Sequence, residues 1–275
     1  MKIRRLDIIE FSVLMECFLK AFENYFVKMP TDHEYYRQRW EMAKVRLDLS
    51  YGMFYDEKLV GFIINAIDQR QNDIIAFNTG TGVLPEFRRQ NIVHSIYQFA
   101  IPELRKHGVT KCQLEVIKEN IVAIKAYKKI GFHCIKNYKC YNGDIILNDT
   151  LSSDVELKRV NTKYFDWNTL DQNTYSWDNH FNTISRGKYE YYAVLFNNTL
   201  DSYFVVNPLN RNLAQFNTLK NTTDNWTRLF AAIQSISKTI KINNVDESLT
   251  EKIDFLNKIK LKNTVNQYEM ELYLN

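Results

Sequence analysis

The sequence predicts an α/β sandwich built twice along one chain. Three observations carry this reading. Residues 1–145 alternate between strand and helix periodicity and end in strand–helix–strand–helix–strand. Residues 151–275 repeat that order more faintly. At 275 residues the chain also exceeds the usual single domain, which runs to roughly 100–200 residues. Two domains, 1–150 and 151–275, are expected, each long enough to bury its own core. Of the eight glycines only Gly187 falls after residue 150. Asn142-Gly143-Asp144 and Asn148-Asp149-Thr150 mark the boundary as turn and loop.

The first half reads in order as follows. Lys2–Leu6 is a short strand. Phe11, Leu14, Met15, Phe18, Leu19 and Phe22 recur at helical spacing, predicting a helix over Phe11–Tyr25. Thr31 or Asp32 caps a second helix running to about Leu47. Met53–Tyr55 and Leu59–Ile67 are strands joined by the turn Asp56-Glu57-Lys58. Ile74–Leu84 is a strand interrupted by Thr79-Gly80-Thr81-Gly82, and Pro85–Gln90 is a loop. Ile92–His107 is an amphipathic helix, Lys111–Ile117 a strand, and Asn120–Ile130 a helix that Gly131 ends in the left-handed region. Phe132–Tyr141 returns as a strand.

The second half offers a strand at Val155–Val160, helical stretches around Phe165–Leu170 and Trp177–Ile184, and a hairpin of Glu190–Phe196 with Ser202–Asn207 around Asn197-Asn198-Thr199. A helix at Asn225–Ser237, a short strand at Lys241–Asn243, a helix at Leu249–Lys260 and a strand at Gln267–Leu272 complete it.

Composition excludes several classes. The apolar fraction of 45% and charged fraction of 25% are those of a globular protein. No apolar run reaches the ~18 residues that span a bilayer, and Asp7, Glu10 and Glu16 interrupt any leader-like stretch. A cytoplasmic protein without membrane attachment is expected. The net charge of +4, whose excess lies in residues 1–150, is too small for a nucleic-acid footprint and suits one small anionic ligand. Cys17, Cys112, Cys134 and Cys140 form no C-x-x-C pair and no histidine stands at zinc-ligand spacing from them, so free thiols and no metal are expected.

Two segments carry chemistry. The first is Val83-Leu84-Pro85-Glu86-Phe87-Arg88-Arg89-Gln90-Asn91-Ile92-Val93-His94, which leaves a strand and opens a helix. A helix start presents unpaired N–H groups and the positive end of a dipole, a ready site for phosphate. The second is Leu114-Glu115-Val116 followed by Asn120, Ala123-Ile124, Tyr127 and Gly131-Phe132.

Together the segments resemble the GNAT superfamily of N-acetyltransferases, through its V-x-P-x-[YF]-R-x-x-G-x-G loop and its L-E-V-x-x-x-N-x-x-A-[IL]-x-x-Y-x-x-x-G-F strand and helix. The specific likeness covers residues 74–132; element order extends it to 1–145 and, more faintly, to a degenerate second copy. The resemblance implies two GNAT-like domains, each a mixed, mostly antiparallel twisted sheet flanked by helices. It implies acetyl-CoA as acyl donor and an amine acceptor whose identity the sequence leaves open, as it does the oligomeric state. It implies that Val83, Leu84 and Pro85 pair with the pantetheine arm, that the amides of Arg88, Arg89, Gln90, Asn91, Ile92, Val93 and His94 hold the pyrophosphate, and that Asn120 contacts the cofactor. By the same likeness Tyr127 protonates the departing thiolate, and Glu115 is the general base, as in ribosomal-protein alanine acetyltransferases. A backbone amide at Val83 or Leu84 is expected to stabilise the oxyanion.

One departure bears on this. The family's loop glycines are here Asn91 and Val93. Asparagine tolerates positive φ, whereas valine keeps its place only in ordinary helical geometry. A GNAT-fold binding or regulatory module without turnover is the opposing reading. Glu115 also reads as a salt-bridged strand residue, Tyr127 as a core aromatic and Asn120 as a helix cap. The second half lacks an equivalent cradle: Pro208–Asn212 offers a lone Arg211, and Ser248–Leu261 has no tyrosine at the acid position.

Overall fold

The computed structural model describes residues 1–147 and 152–274. Packing divides the chain into two compact units, Met1–Lys136 with Tyr268–Asn275, and Asn137–Gln267. The boundary expected near residue 150 falls on residues 148–151, outside the described residues. The packing division comes earlier, at Lys136, and the end of the chain returns to the first unit. There Gln113 donates to Glu271 at 2.7 Å and the Leu274 amide to the Thr110 carbonyl at 2.8 Å.

The first unit begins with β1 (Lys2–Arg5), α1 (Phe11–Ala21) and α2 (His33–Ala43). It continues with β2 (Tyr51–Tyr55), β3 (Lys58–Arg70) and β4 (Asp73–Val83). It closes with α3 (Ile92–Lys106), β5 (Lys111–Ile117) and α4 (Ile121–Ile130). Strands β1 to β4 pair antiparallel in sequence order, and β4 pairs parallel with β5. The β2–β3 turn holds Asp56 and Glu57 at φ of 45° and 64°. Two positive φ values match a tight hairpin to the twist of its strands. Asp32 caps α2 by accepting from the Glu34 amide at 2.9 Å. Both α1 and α2 stop earlier than their periodicity suggests: α2 ends where Lys44 turns left-handed at φ 63°, and residues 22–24 after α1 form a turn.

The core lies on both faces of this sheet. Leu14, Met15, Phe18 and Ala21 of α1 are buried on one face, and Ile92, Ile96, Tyr97, Ala100 and Leu104 of α3 on the other. Two glycines set how close α1 comes. A β-carbon at Gly82 would lie 2.5 Å from the Phe62 ring and 2.8 Å from the Ala21 Cβ, and one at Gly80 would lie 3.1 Å from the Phe18 ring.

The second unit takes up the chain within β6 (His133–Asp144). It holds β7 (Val155–Val160), α5 (Phe181–Ile184), β8 (Glu190–Phe196), β9 (Thr199–Asn207) and β10 (Asn212–Thr218). Then come α6 (Thr223–Ile236), β11 (Thr239–Asp246), α7 (Thr250–Lys258) and β12 (Lys262–Tyr273), whose last residues belong to the first unit. Strands β7 to β10 pair antiparallel in order and β10 pairs parallel with β11, repeating the order of β1 to β5. The β8–β9 turn holds Asn197 and Asn198 at positive φ, as expected for that hairpin.

The repeat extends to the irregularities. Val60 in β3 and Asp201 in β9 are each an extra residue against the preceding strand. Thr79 in β4 and Ala214 in β10 are each an extra residue against the strand before. The amide after each fourth strand returns to the bulged carbonyl, Leu84 to Val60 and Leu219 to Asp201, both at 2.9 Å.

Two expectations change in the second unit. Phe165–Leu170 is not helical, and Trp177–Ile184 shortens to the single turn α5. Short polar side chains take the amides a helix would use: Asn161 accepts from Lys163 N, Asp166 from Asn168 N, and Asp171 from Asn173 N. Conversely, Asn212–Thr218 is a full strand, and residues 208–211 are the β9–β10 turn, tied by Asn207 accepting from the Leu209 amide at 2.9 Å. Among the described residues no helix is long and apolar enough to cross a membrane.

Lys252 of α7 is an unusual component of this core. Its Nζ is buried, donates to the Phe216 carbonyl at 2.9 Å and lies 4.6 Å from that ring's centroid. Burial pushes its pKa down from 10.5 to about 7, against an opposing pull from Asp246. Between about 7 and 10.5 the unfolded chain holds a proton that the folded chain lacks. Stability therefore rises with pH across that window, by up to ~1.4 kcal/mol per unit, and this contribution is flat below it. Urea unfolding across the window should show Lys252→Met losing the slope; a slope equal to that of the parent would contradict the assignment.

Candidate active site

The site begins where two parallel strands part. β4 and β5 pair from Ile75↔Lys111 to Asn78↔Leu114, and the pairing ends there. The next residue, Thr79, is the β4 bulge, which bends the strand away. The Asn78 side chain holds the bend, its Oδ1 accepting from the Gly80 amide at 3.0 Å. Because Leu84 N donates to Val60 O, alternation along an antiparallel pair turns the Val83 amide and carbonyl to the other edge, the one β5 has left. Of the two amides expected to meet an oxyanion, Leu84's is committed to β3 and Val83's faces the gap.

The loop after β4 makes one 3-10 turn at Pro85–Phe87. Arg88 is exposed along its stem, yet its guanidinium is tied down. Nη2 donates to the Ala21 carbonyl at 3.0 Å and Nε to the Val83 carbonyl at 3.3 Å. It thus satisfies an orphan carbonyl at the end of α1, and its side chain is a brace of the cradle. Arg89 and Gln90 are exposed, and Arg89 has φ 62°. Asn91 precedes α3 in the left-handed region at φ 56°, ψ 21°, and no side chain caps the helix. The first-turn amides of Ile92, Val93 and His94 therefore have no acceptor within the helix. His94 also carries a buried Nδ1 without a hydrogen-bond partner. An uncapped helix start fits a diphosphate. Val93 lies in ordinary helical geometry, so the loss of the family's glycine there costs the backbone nothing.

Tyr127 and Asn120 stand on α4. Tyr127 is buried, packed edge-on against Phe132, and hydrogen-bonded to the Thr81 side chain. Burial pushes its pKa to about 12, with the Thr81 bond pulling the other way, so it carries its proton at neutral pH. Asn120 caps α4, accepting from the Ala123 amide at 3.2 Å, and also bonds the Tyr25 hydroxyl, whose pKa burial raises and this bond partly restores. Of the two roles expected of Asn120, this is the helix cap. Cys112, Leu114 and Val116 of β5 join the core with α3 and α4. Glu115 alternates onto the opposite face and is half-buried, one residue beyond the last β4–β5 pair. Tyr127 and Glu115 therefore approach the gap from opposite faces of the sheet. Burial raises the Cys112 thiol to about 12, which leaves it a packing residue.

Three partners were not read from the sequence: Asn78, Thr81 as a partner of Tyr127, and Tyr97. The one signal is Asn78 itself, a polar side chain ending the apolar run Ile74–Phe77. In the second unit the counterpart crossing is residues 219–222, half the length of residues 84–91. The Thr222 side chain caps α6 by accepting from the Asn225 amide, and Asp201 takes the Asn225 and Arg228 side chains at 2.7 and 2.6 Å. No free helix start remains there for an anion.

Residues 14–132 match the acetyltransferase (GNAT) family model. They are a GNAT acetyltransferase domain. No curated protein matches the sequence. A tandem GNAT protein from the clavulanic acid biosynthesis pathway has the same fold over 100% of this chain and 99% of its own, with a TM-score of 0.73 at 12% identity. A GCN5-related N-acetyltransferase from Sphaerobacter thermophilus is similar over 100% of this chain and 96% of its own, with a TM-score of 0.68 at 7% identity. A putative acetyltransferase from Pyrococcus horikoshii covers 99% of this chain and 89% of its own, with a TM-score of 0.66 at 15% identity. The GNAT fold thus runs through the whole chain as a tandem.

Reinstating the family's glycines should have opposite effects on this GNAT domain. Val93→Gly is expected to lose about 1 kcal/mol of stability, the penalty for glycine in a helix. Asn91→Gly should leave stability equal or higher, since it relieves a left-handed asparagine. Denaturant unfolding of the two variants checks both signs.

Proposed function

We propose that the first unit transfers an acetyl group from acetyl-CoA to a primary amine of a small molecule or peptide, by direct attack in a ternary complex. The observation that carries this is the gap between β4 and β5, with a protonated Tyr127 on one face and Glu115 on the other. The uncapped start of α3 supports a diphosphate site, and Val83 supports backbone pairing with an extended amide chain. Acetyl-CoA supplies the activated thioester that such a site would take. No part of this reading asks the second unit for a donor site of its own.

The residues divide the work by charge. A lysine-like amine has a pKa of about 10.4 and must shed a proton before it attacks. Glu115 takes that proton directly or through a water. The Val83 amide donates to the oxygen on which charge develops. Tyr127 gives its proton to the leaving sulfur, whose parent thiol has a pKa of about 8.5. No covalent bond to the protein is needed, because orientation of the two reactants supplies much of the rate.

Tyr127→Phe tests the reading. It should lower kcat by ~10²-fold and leave acetyl-CoA affinity by calorimetry nearly unchanged, because the ring still packs and the thiolate charge exists only in the transition state. A screen of amines, aminoglycosides and peptide N-termini supplies the acceptor for this measurement. Undiminished turnover would remove Tyr127 from the mechanism, and absence of acetyl-CoA binding in the parent would point to an inert module.

A further inference from the structure

Four side chains form a chain of hydrogen bonds on the α3–α4 face of the gap. Asn78 Nδ2 donates to Thr81 Oγ1 and to the Tyr97 hydroxyl, both at 2.6 Å. Thr81 in turn is bonded to Tyr127. The direction of this chain follows from one backbone contact. The Gly80 N–H can only donate, so the Asn78 atom it meets at 3.0 Å is the carbonyl oxygen. The other end of the amide is then the nitrogen, with two hydrogens and no lone pair to offer. Thr81 Oγ1 must accept from it, which leaves the single Thr81 hydrogen uncommitted towards Asn78. Tyr97 is fully buried and its pKa lies well above the usual value, so it stays a neutral end-stop.

We infer that Thr81, oriented by Asn78, is a positioning residue for the acid Tyr127: its hydroxyl hydrogen turns onto the phenol oxygen as that oxygen releases its proton. This rests on the reading of Tyr127 as the acid. The step balances. The carbon–sulfur bond breaks and its electron pair goes to sulfur. The Tyr127 proton moves to sulfur, and the charge left on the phenolate is met by the Thr81 hydrogen, which remains bonded to Thr81. Asn78 cannot rotate to spoil this, because a flipped amide would set its NH₂ against the Gly80 N–H. The need for such a donor is quantitative. A phenol titrating near 12 gives its proton uphill to a thiolate whose conjugate acid titrates at about 8.5, so a bond that strengthens on the phenolate is worth more than one that does not.

The test reads the hydrogen bond and the chemistry separately, on the full chain. A fluorinated tyrosine placed at position 127 lowers the phenol's own pKa into the range where the protein is folded, and fluorine NMR follows its titration. Thr81→Val, which keeps the shape and removes the hydroxyl, should raise the midpoint by about one pH unit, the worth of one net hydrogen bond. Thr81→Ser should return it, and Thr81→Ala gives a second reading if the valine packs poorly. With natural tyrosine, Thr81→Val should lower kcat by ~10-fold at unchanged KM for acetyl-CoA, and should add nothing to Tyr127→Phe. An unmoved midpoint overturns the inference. A moved midpoint with unchanged kcat overturns Tyr127 as the acid, and the inference with it. A further loss in the Tyr127→Phe background shows that Thr81 acts through something other than Tyr127, which also overturns it.

Discussion

The bend in β4 at Thr79 is the feature on which the rest of the first unit turns. A strand that continued straight would keep pairing with β5 and leave no gap. The extra residue ends the pairing at Asn78↔Leu114, and the Asn78–Gly80 contact holds the bend in one geometry. The gap then decides what each neighbour can do. It leaves the Val83 amide without a β5 partner, sets α3 with its uncapped start at one end, and has Tyr127 and Glu115 on opposite faces of the sheet. The glycines at 80 and 82 belong to the same constraint, since α1 lies against the bent strand where no β-carbon fits.

The second unit shows what the same bend gives without the rest. Ala214 bulges β10 at the corresponding place, and β10 pairs with β11 only at Asn212↔Lys241. The space between them is lined by Tyr175, Phe216, Asn244, Asp246 and Lys252. A buried ammonium or amine on the Phe216 carbonyl and an aromatic lining occupy what is a gap in the first unit. A crossing loop half as long and the Thr222 cap on α6 leave no uncapped helix start there, while the sheet order and its bulges match those of the first unit.

Much of this was legible in the residues, and the limits have physical causes. Hairpins at Asp56-Glu57 and Asn197-Asn198, the Asp32 and Asn120 caps and the Gly131 stop are local signals, and local signals survive in a sequence. The αL asparagine at 91 was legible for the same reason. The turns at 161–175 were not, because Asn161, Asp166 and Asp171 compete for backbone amides against an apolar spacing that also suits a helix. The amide of Arg88 was expected at the phosphate; the engagement of its guanidinium with Ala21 depends on a contact across 67 positions that no window can see. The Asn78–Thr81–Tyr127 chain joins two separate elements, so a motif read along either one misses it. The return of the final strand to the first unit is of the same kind.

That return bears on how the protein is made. Residues 268–275 complete the first unit, yet they are translated after the whole of the second. With synthesis at roughly 5–20 residues per second, the nascent acetyltransferase unit waits beside an unfilled edge at β5 while all of residues 137–267 emerge from the ribosome. Lys111 and Gln113 meet Glu271 only after that delay. The final step in folding the first unit therefore waits for the second unit to be synthesised, and a messenger truncated after the second unit's last helix would yield a chain whose motifs are all present and whose sheet is unfinished.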